Sequence, residues 1–177
     1  MENKSSLWKS ALNWGVIMGI VMIIYNLIMF FLDLSLEQWV GWVSYIVMIA
    51  IIVVSTINYR DKVLGGAITY GQALGFGVMV VLFSSIISSI YTYVFVTVID
   101  PEFANKILAM TEQKMVAKGI PEQQIEAGLS MQKKFMSPIM MSVFVIPVTV
   151  FFGCIFSLIT SAFLKKNRPA IQFNEGQ

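Results

Sequence analysis

The side chains that could bind or conduct a solute are small hydroxyl and amide groups, which recur at helical spacing in apolar segments. Ser84, Ser88 and Thr92 follow one another at intervals of four, and side chains at that interval share a helix face. One interpretation is a polar pathway, in which hydroxyls and amides replace the hydration of a small solute. The other is helix packing, which we favour because no acidic or basic residue accompanies these positions. The full set of positions is Gly15, Gly19, Asn26, Gly71, Gln72, Gly75, Ser84, Ser88, Thr92, Gly153, Ser157 and Ser161.

Five glycines lie between positions 65 and 77, and two of them, Gly71 and Gly75, are again four residues apart. We predict that Gly71 and Gly75 let the beginning of the third apolar segment approach its neighbours closely. The alternative is that they keep this segment flexible. The spacing matches neither the dinucleotide-binding fingerprint nor the phosphate-binding loop, because no strand precedes it and no Gly-Lys-Ser/Thr ends it.

Histidine is absent from all 177 residues, which excludes imidazole acid–base catalysis, Ser-His-Asp and Cys-His nucleophiles, and metal sites held by histidine. The single cysteine, Cys154, lies in an apolar run and allows no internal disulfide. We interpret it as a small buried hydrophobic residue. We therefore expect no catalytic residues, no cofactor or metal, and no enzymatic activity.

The composition is that of a membrane protein. Hydrophobic residues make up 57% of the chain, and the mean hydropathy is +0.77. Four uncharged tracts each reach the roughly 20 residues that a membrane-spanning helix needs. The third tract is too long for one crossing, so we assign its first part, Gly65 to Leu74, to the membrane interface. Within a single domain of residues 1–166, the predicted spans are residues 10–32, 38–59, 76–99 and 139–164.

The orientation follows from basic residues near the span ends, because cytoplasmic loops carry an excess of Lys and Arg. The turn after the first span has only Asp33 and Glu37, and the loop of residues 100–137 balances five lysines with five acidic residues. We therefore predict that both termini are cytoplasmic, that this loop is extracytoplasmic and that residues 167–177 form a disordered tail. The basic residues on the predicted inner side are Lys4, Lys9, Arg60, Lys62, Lys165, Lys166 and Arg168.

The outer loop, residues 100–137, has an amphipathic helical pattern of its own. Asp100-Pro101 is a suitable helix start, Lys118-Gly119 is a stop signal, and Pro121-Glu122 starts a second helix. We expect a helical hairpin that lies over the mouth of the bundle or on the outer leaflet; the alternative is a partner-binding module. Its apolar residues include Phe103, Ile107, Met110, Ile125, Leu129 and Met136.

Several short motifs, in their order along the chain, resemble a known family. They are Arg60-Asp61-Lys62, Gly65-Gly66, Tyr70-Gly71-Gln72-Ala73, Asp100-Pro101-Glu102-Phe103 and the segment from Lys133 to Pro138. Together they resemble the small bacterial membrane-protein family catalogued as domain of unknown function 4199, over roughly Leu7 to Lys166. The resemblance implies a four-span inner-membrane protein with no established activity, and it supplies no catalytic residues.

We expect an all-α polytopic membrane protein with four transmembrane helices and an extracytoplasmic amphipathic helical hairpin between the third and fourth. The role we favour is a non-enzymatic accessory or scaffold-like subunit of the bacterial inner membrane. The alternative is a channel or facilitator for a small neutral solute, which requires oligomerisation because four helices seldom enclose an aqueous pore. The expected partners are the lipid bilayer and either further copies of the chain or other membrane proteins, and not nucleic acid.

Overall fold

The computed structural model describes residues 4–166, and about 85% of these described residues are helical. The predicted all-α fold is confirmed for this part of the chain, where the only strand-like pairing is an isolated bridge between Ile68 and Lys166. The helices are α1 (Lys4–Phe31), α2 (Gln38–Lys62), α3 (Tyr70–Val94), a short π-helix (Phe95–Ile99), α4 (Phe103–Ala117), α5 (Glu122–Phe135) and α6 (Pro138–Leu164).

Four helices of the described residues are long and apolar enough to cross a membrane. They are Ser6–Phe31, Gln38–Lys62, Tyr70–Ile99 and Pro138–Leu164, with 25 residues or more in each. At about 1.5 Å of rise per residue, 25 residues extend beyond a hydrocarbon core of about 30 Å. The four membrane-like helices expected from the sequence are therefore present, and the predicted tail of residues 167–177 lies outside the described residues.

The third long helix begins earlier than the sequence analysis predicted. Its first residue is Tyr70, whereas the predicted span begins at Phe76, so the second half of the segment from Gly65 to Leu74 is helical. The assignment of this segment to the membrane interface stays a prediction. Thr69 explains this start, because its hydroxyl accepts from the Gln72 backbone N–H at 3.4 Å, and the Gln72 side-chain oxygen accepts from the Thr69 N–H at 2.9 Å. This reciprocal capping box satisfies two N–H groups that a helix start leaves unpaired.

The four long helices alternate in direction, with α3 at the centre of the bundle between α1 and α6. α1 runs parallel to α3, since Gly15 faces Phe83 and Asn26 faces Tyr91. α6 runs antiparallel to α3, and α2 packs against the other three long helices. We call one end of the bundle the terminal end, with Lys4, Lys62, Tyr70 and Leu164, and the other the hairpin end, with Phe31, Gln38, Ile99 and Pro138.

The core is densest in the half of the bundle near the terminal end. Tyr59 of α2 and Phe76 of α3 stack there with ring centroids 4.2 Å apart, and Ile52 and Val80 are buried beside them. This end is closed by the loop between α2 and α3, which pairs with the chain just after α6. Ile68 and Lys166 exchange two backbone hydrogen bonds of 2.9 Å, so the loop is tied to the last long helix.

The helical hairpin between the third and fourth long helices is present, with one error in its predicted start. α4 begins at Phe103, and Asp100 does not cap it. Instead the Asp100 carboxylate accepts two hydrogen bonds from Lys106 Nζ, at 2.8 and 3.0 Å. The predicted stop is confirmed, because α4 ends before Lys118 and Gly119 has a left-handed φ of 69° that favours glycine.

α4 and α5 pack on each other, and neither forms an extended interface with the long helices. Among the described hairpin residues only Ile125 is a buried hydrophobic side chain. Two ring contacts join the hairpin to the bundle: the centroid of Phe103 is 5.2 Å from that of Phe95, and the centroid of Phe135 is 5.8 Å from that of Phe144. These contacts do not support the interpretation in which the hairpin closes the mouth of the bundle. A position on the leaflet surface and a partner-binding role both stay predictions.

Candidate functional site

A polar cavity of about 190 Å³ lies between the four long helices, in the half of the bundle near the hairpin end. Because a water molecule occupies about 30 Å³ in the liquid, the cavity has room for roughly six waters or one small solute. The structure thus brings together four of the predicted positions, one on α1 and three on α3. The cavity is lined by Met18, Met22, Ile23, Tyr25, Asn26, Ser44, Met48, Ser84, Ser88, Tyr91, Thr92 and Thr149.

Hydrogen bonds fix several of the polar side chains that line this cavity. The Tyr91 hydroxyl donates to Asn26 Oδ1 at 2.7 Å, which links α3 to α1. The Tyr25 hydroxyl donates to the Val40 carbonyl at 2.9 Å, which links α1 to the first turn of α2. Tyr91 and Tyr25 are cavity residues that the sequence analysis missed, although each lies beside or one turn from a position that it singled out.

Four donors in the cavity have no partner among the residues that the structure describes. Three are the hydroxyls of Ser84, Ser88 and Thr149, since the bond from Thr92 Oγ1, at 2.8 Å, goes to the Ser88 backbone carbonyl. The fourth is the Asn26 amide nitrogen, since only the amide oxygen is bonded, to Tyr91. A neutral solute or water with hydrogen-bond acceptors fits these free N–H and O–H groups.

The cavity does not continue as a polar path toward the terminal end. On that side the interior is filled by Ile52, Phe76 and Val80, each of which is at most 1% exposed. The hydroxyl of Ser55, at the same depth, donates to the Ile52 carbonyl of its own helix at 3.0 Å. A single copy of this bundle therefore has a cavity with polar lining residues in one half and a packed core in the other.

The glycines predicted on α1 are packing positions against α3. A Cβ built on Gly15 would lie 2.5 Å from Phe83 Cβ and 3.0 Å from the Val80 carbonyl oxygen. A Cβ built on Gly19 would lie 3.0 Å from Ile87 Cγ2. The hydrogen at each position is what allows the two helix backbones to approach, as expected for small residues in membrane helices.

Glycines also allow close helix approach at the interface between α3 and α6. A Cβ on Gly153 would collide with the side chain of Val81, and a Cβ on Gly77 would lie 2.6 Å from Ser157 Oγ. Ser157 Oγ is buried and has no hydrogen-bond partner among the described residues. Gly77 was missed by the sequence analysis, although its spacing of four residues from Ala73 is a small-residue pattern that could have indicated it.

Ser161, the remaining predicted position on α6, is also a packing residue. It is 1% exposed, and its carbonyl accepts the Lys165 backbone N–H at 3.1 Å. Together with Gly153 and Ser157 it extends the buried face of α6. The predicted positions on α6 therefore lie outside the polar cavity, to which this helix contributes Thr149.

The prediction that Gly71 and Gly75 set a close helix approach is wrong. A Cβ built at either position would meet no atom within 4 Å. Both residues are exposed on α3, whereas Ala73 and Gly77 of the same turns face the interior. Gln72, between them, acts as the helix cap described above. Both glycines lie within the regular helix α3, and the alternative that they keep this segment flexible stays a prediction.

Residues 4–166 contain no group of three or more His, Cys, Asp or Glu side chains that could hold a metal ion. Cys154 is half-buried and free. The charged side chains of the long helices lie at their ends, such as the Arg60–Asp61 pair with a 2.7 Å contact. What the bundle interior offers chemically is hydrogen bonding by hydroxyl and amide groups.

A comparison with protein families matches this chain to one described as a protein of unknown function (DUF4199), over residues 13–166. The chain belongs to this family. The match covers most of α1, the other three long helices and the hairpin, and it confirms the resemblance drawn from the short motifs. No curated protein and no solved structure matches the DUF4199 chain significantly.

Proposed function

We propose that this DUF4199 protein is a non-enzymatic accessory or scaffold-like subunit of the bacterial inner membrane. The observation that carries the proposal is that the cavity ends against the packed core of Ile52, Phe76 and Val80, which leaves one copy without a polar path across the bilayer. The bundle has no such path and no acidic or basic side chain in its interior. We therefore expect it to act through contacts that its outer surface makes with other membrane proteins.

That outer surface is broad and apolar on two opposite sides. α1 and α6 do not form an extended interface with each other, and each exposes a row of large side chains. Ile24 on α1 is 52% exposed and Ile159 on α6 is 54% exposed. Helices of another membrane protein can pack on such rows, with lipid covering whatever a partner leaves free.

The test is site-specific photo-crosslinking in native membranes from three equally exposed positions, Ile24, Ile159 and Val54 of α2. We expect one discrete crosslinked protein from the face that binds the partner, and lipid adducts from the other faces. Lipid adducts alone from all three positions would contradict the accessory role. The same unresolved mixture of crosslinked proteins from all three positions would also contradict the accessory role. Random collisions with other proteins would crosslink every face of the bundle equally.

The second candidate function is an oligomeric facilitator for a small neutral solute, and the cavity with its unpaired Ser88 hydroxyl favours it. Its test is uptake of glycerol and urea into proteoliposomes. The cavity variant Ser88→Leu is compared with Ile86→Leu, a change on the lipid-exposed face of the same helix. Flux that Ser88→Leu abolishes and Ile86→Leu retains would replace the accessory role by the facilitator. We expect no flux above that of protein-free liposomes.

The proposed orientation has both termini in the cytoplasm and the hairpin outside. The positive-inside rule supports it, because the basic ends of α1, α2 and α6 share the terminal end of the bundle. In a Cys154→Ala background, a cysteine at Glu112 of α4 should react with a membrane-impermeant thiol reagent in intact cells, and one at Asn174 should not. The reverse labelling pattern would refute the orientation.

A further inference from the structure

Two cavities of opposite character meet at Thr92 of α3. Thr92 lines the polar cavity described above, of about 190 Å³, and it also lines an apolar groove of about 650 Å³. The two linings are adjacent on α6 as well, where Thr149 lines the polar cavity and the preceding residue, Val148, lines the groove. The polar cavity and the apolar groove therefore adjoin within one bundle.

The apolar groove opens on the side of the bundle between α3, α6 and the hairpin. The α6 wall of the groove lies in a helix long enough to span the membrane, and it consists of Met141, Phe144, Val145 and Val148. Phe144 is 47% exposed and Val148 is 50% exposed, so this wall is accessible from outside the bundle. Because lipid surrounds a membrane-spanning helix, a hydrocarbon chain can enter the groove directly from the bilayer.

The polar cavity has unpaired hydrogen-bond donors and no charge. Ser84 is 1% exposed and lines the cavity, and its hydroxyl has no partner among the described residues. The other unpaired donors of this lining are the hydroxyls of Ser88 and Thr149 and the amide nitrogen of Asn26. Of the described lining residues, none is acidic or basic. Because an unpaired buried donor costs free energy, the cavity favours an occupant that brings neutral hydrogen-bond acceptors.

We propose that the polar cavity and the apolar groove together bind one neutral amphiphile from the bilayer, with its head in the cavity and its hydrocarbon chain in the groove. The head is small, because the cavity has room for roughly six water-sized groups. A glycerol ester is close to this size, is uncharged, and has oxygens that accept hydrogen bonds from Ser84 and Ser88. This site does not depend on whether the bundle acts as an accessory subunit or as a facilitator.

The test uses the full chain in mild detergent, with an equimolar mixture of monoolein and oleoyl lysophosphatidylcholine as the probe and native mass spectrometry as the readout. The two lipids have the same hydrocarbon chain, but the head of the second is zwitterionic and bulkier. We expect one monoolein per chain to be retained in preference to the lysolipid. Ser84→Ala/Ser88→Ala should lower that preference about fivefold or more, since each hydrogen bond contributes about 0.5 to 1.5 kcal/mol and about 1.4 kcal/mol is a factor of ten.

The matched control is Ser85→Ala/Ser89→Ala, which changes two serines of the same helix that line neither the cavity nor the groove. It should keep the wild-type preference for monoolein. Val148→Trp fills the groove and should reduce the retention of monoolein, whereas Val143→Trp, at a similarly exposed position outside the groove, should not. Thermal unfolding of each variant shows whether it is folded.

Three outcomes would overturn the proposal. A wild-type preference in Ser84→Ala/Ser88→Ala would remove the head from the cavity and leave water as its occupant, and an equal loss in both serine pairs would do the same. Unchanged retention in Val148→Trp would remove the chain from the groove. Retention of both lipids alike by the wild-type protein would reject the neutral amphiphile itself.

Discussion

The α3–α6 interface makes a quantitative prediction at Gly153. A methyl group added there would lie 2.8 Å from Val81 Cγ2 and 2.9 Å from Val81 Cβ, distances that real carbon atoms do not adopt. Either the helices separate or Val81 moves, and overpacking of this kind costs about 1 to 3 kcal/mol. The control is Gly75→Ala on α3, where an added Cβ meets nothing within 4 Å. Both changes gain the same helix propensity, about 0.8 to 1.0 kcal/mol, so it cancels between them.

The measurement is reversible unfolding of both variants in the same detergent. We expect Gly153→Ala to be less stable than Gly75→Ala by about 1 to 3 kcal/mol. A double-mutant cycle adds Val81→Ala, which removes two of the three colliding carbons. The cost of Gly153→Ala should be smaller in that background, because neighbouring residues in contact couple. Equal stability of the two glycine variants, or strict additivity in the cycle, would refute the close contact.

Two further predictions concern single hydrogen bonds. Tyr91→Phe removes the 2.7 Å bond to Asn26 between α3 and α1, so it should destabilise the bundle in detergent unfolding by about 0.6 to 1.7 kcal/mol. Tyr93→Phe, on an exposed side chain of the same helix, should change stability little, and an equal effect of both would count against the Asn26 bond. Lys106→Gln leaves the Asp100 carboxylate, whose side chain is 8% exposed, without its cation, and should cost about 1 to 3 kcal/mol by the same assay. The added variant Asp100→Asn should restore part of that loss, and no restoration would refute the pairing.

The number and class of the long helices could be predicted from the sequence, because an uncharged tract of 20 or more residues is a direct consequence of the bilayer's thickness. The boundaries depend on local hydrogen bonding, which composition does not reveal. The start of α3 at Tyr70 required the Thr69–Gln72 capping box, a motif present in the sequence but outweighed there by the nearby glycines. Asp100 has a side chain suited to capping, yet Lys106, one and a half turns on, binds it instead.

The candidate site was only partly predictable, because periodicity shows which residues share a face but not what that face meets. Asn26 and Ser88 were selected from their spacing, and they do line one cavity. Gly71 and Gly75 had the same spacing and face away from the bundle. A glycine pair indicates a close approach only when the facing helix is known. The hydrogen bond from Tyr91 to Asn26 could not be predicted from spacing, because it depends on α1 and α3 being neighbours.

The central position of α3 also has a consequence for how the protein is made. Its buried face packs mainly against α6, which follows it in the chain only after the whole hairpin. From Ile99 to Leu164 there are about 65 residues, which a ribosome adds in about 3 to 13 s. During that interval Gly77 and Val81 face lipid or the insertion machinery. The newly inserted three-helix intermediate therefore exposes, on the side that α6 later occupies, residues that the completed bundle buries.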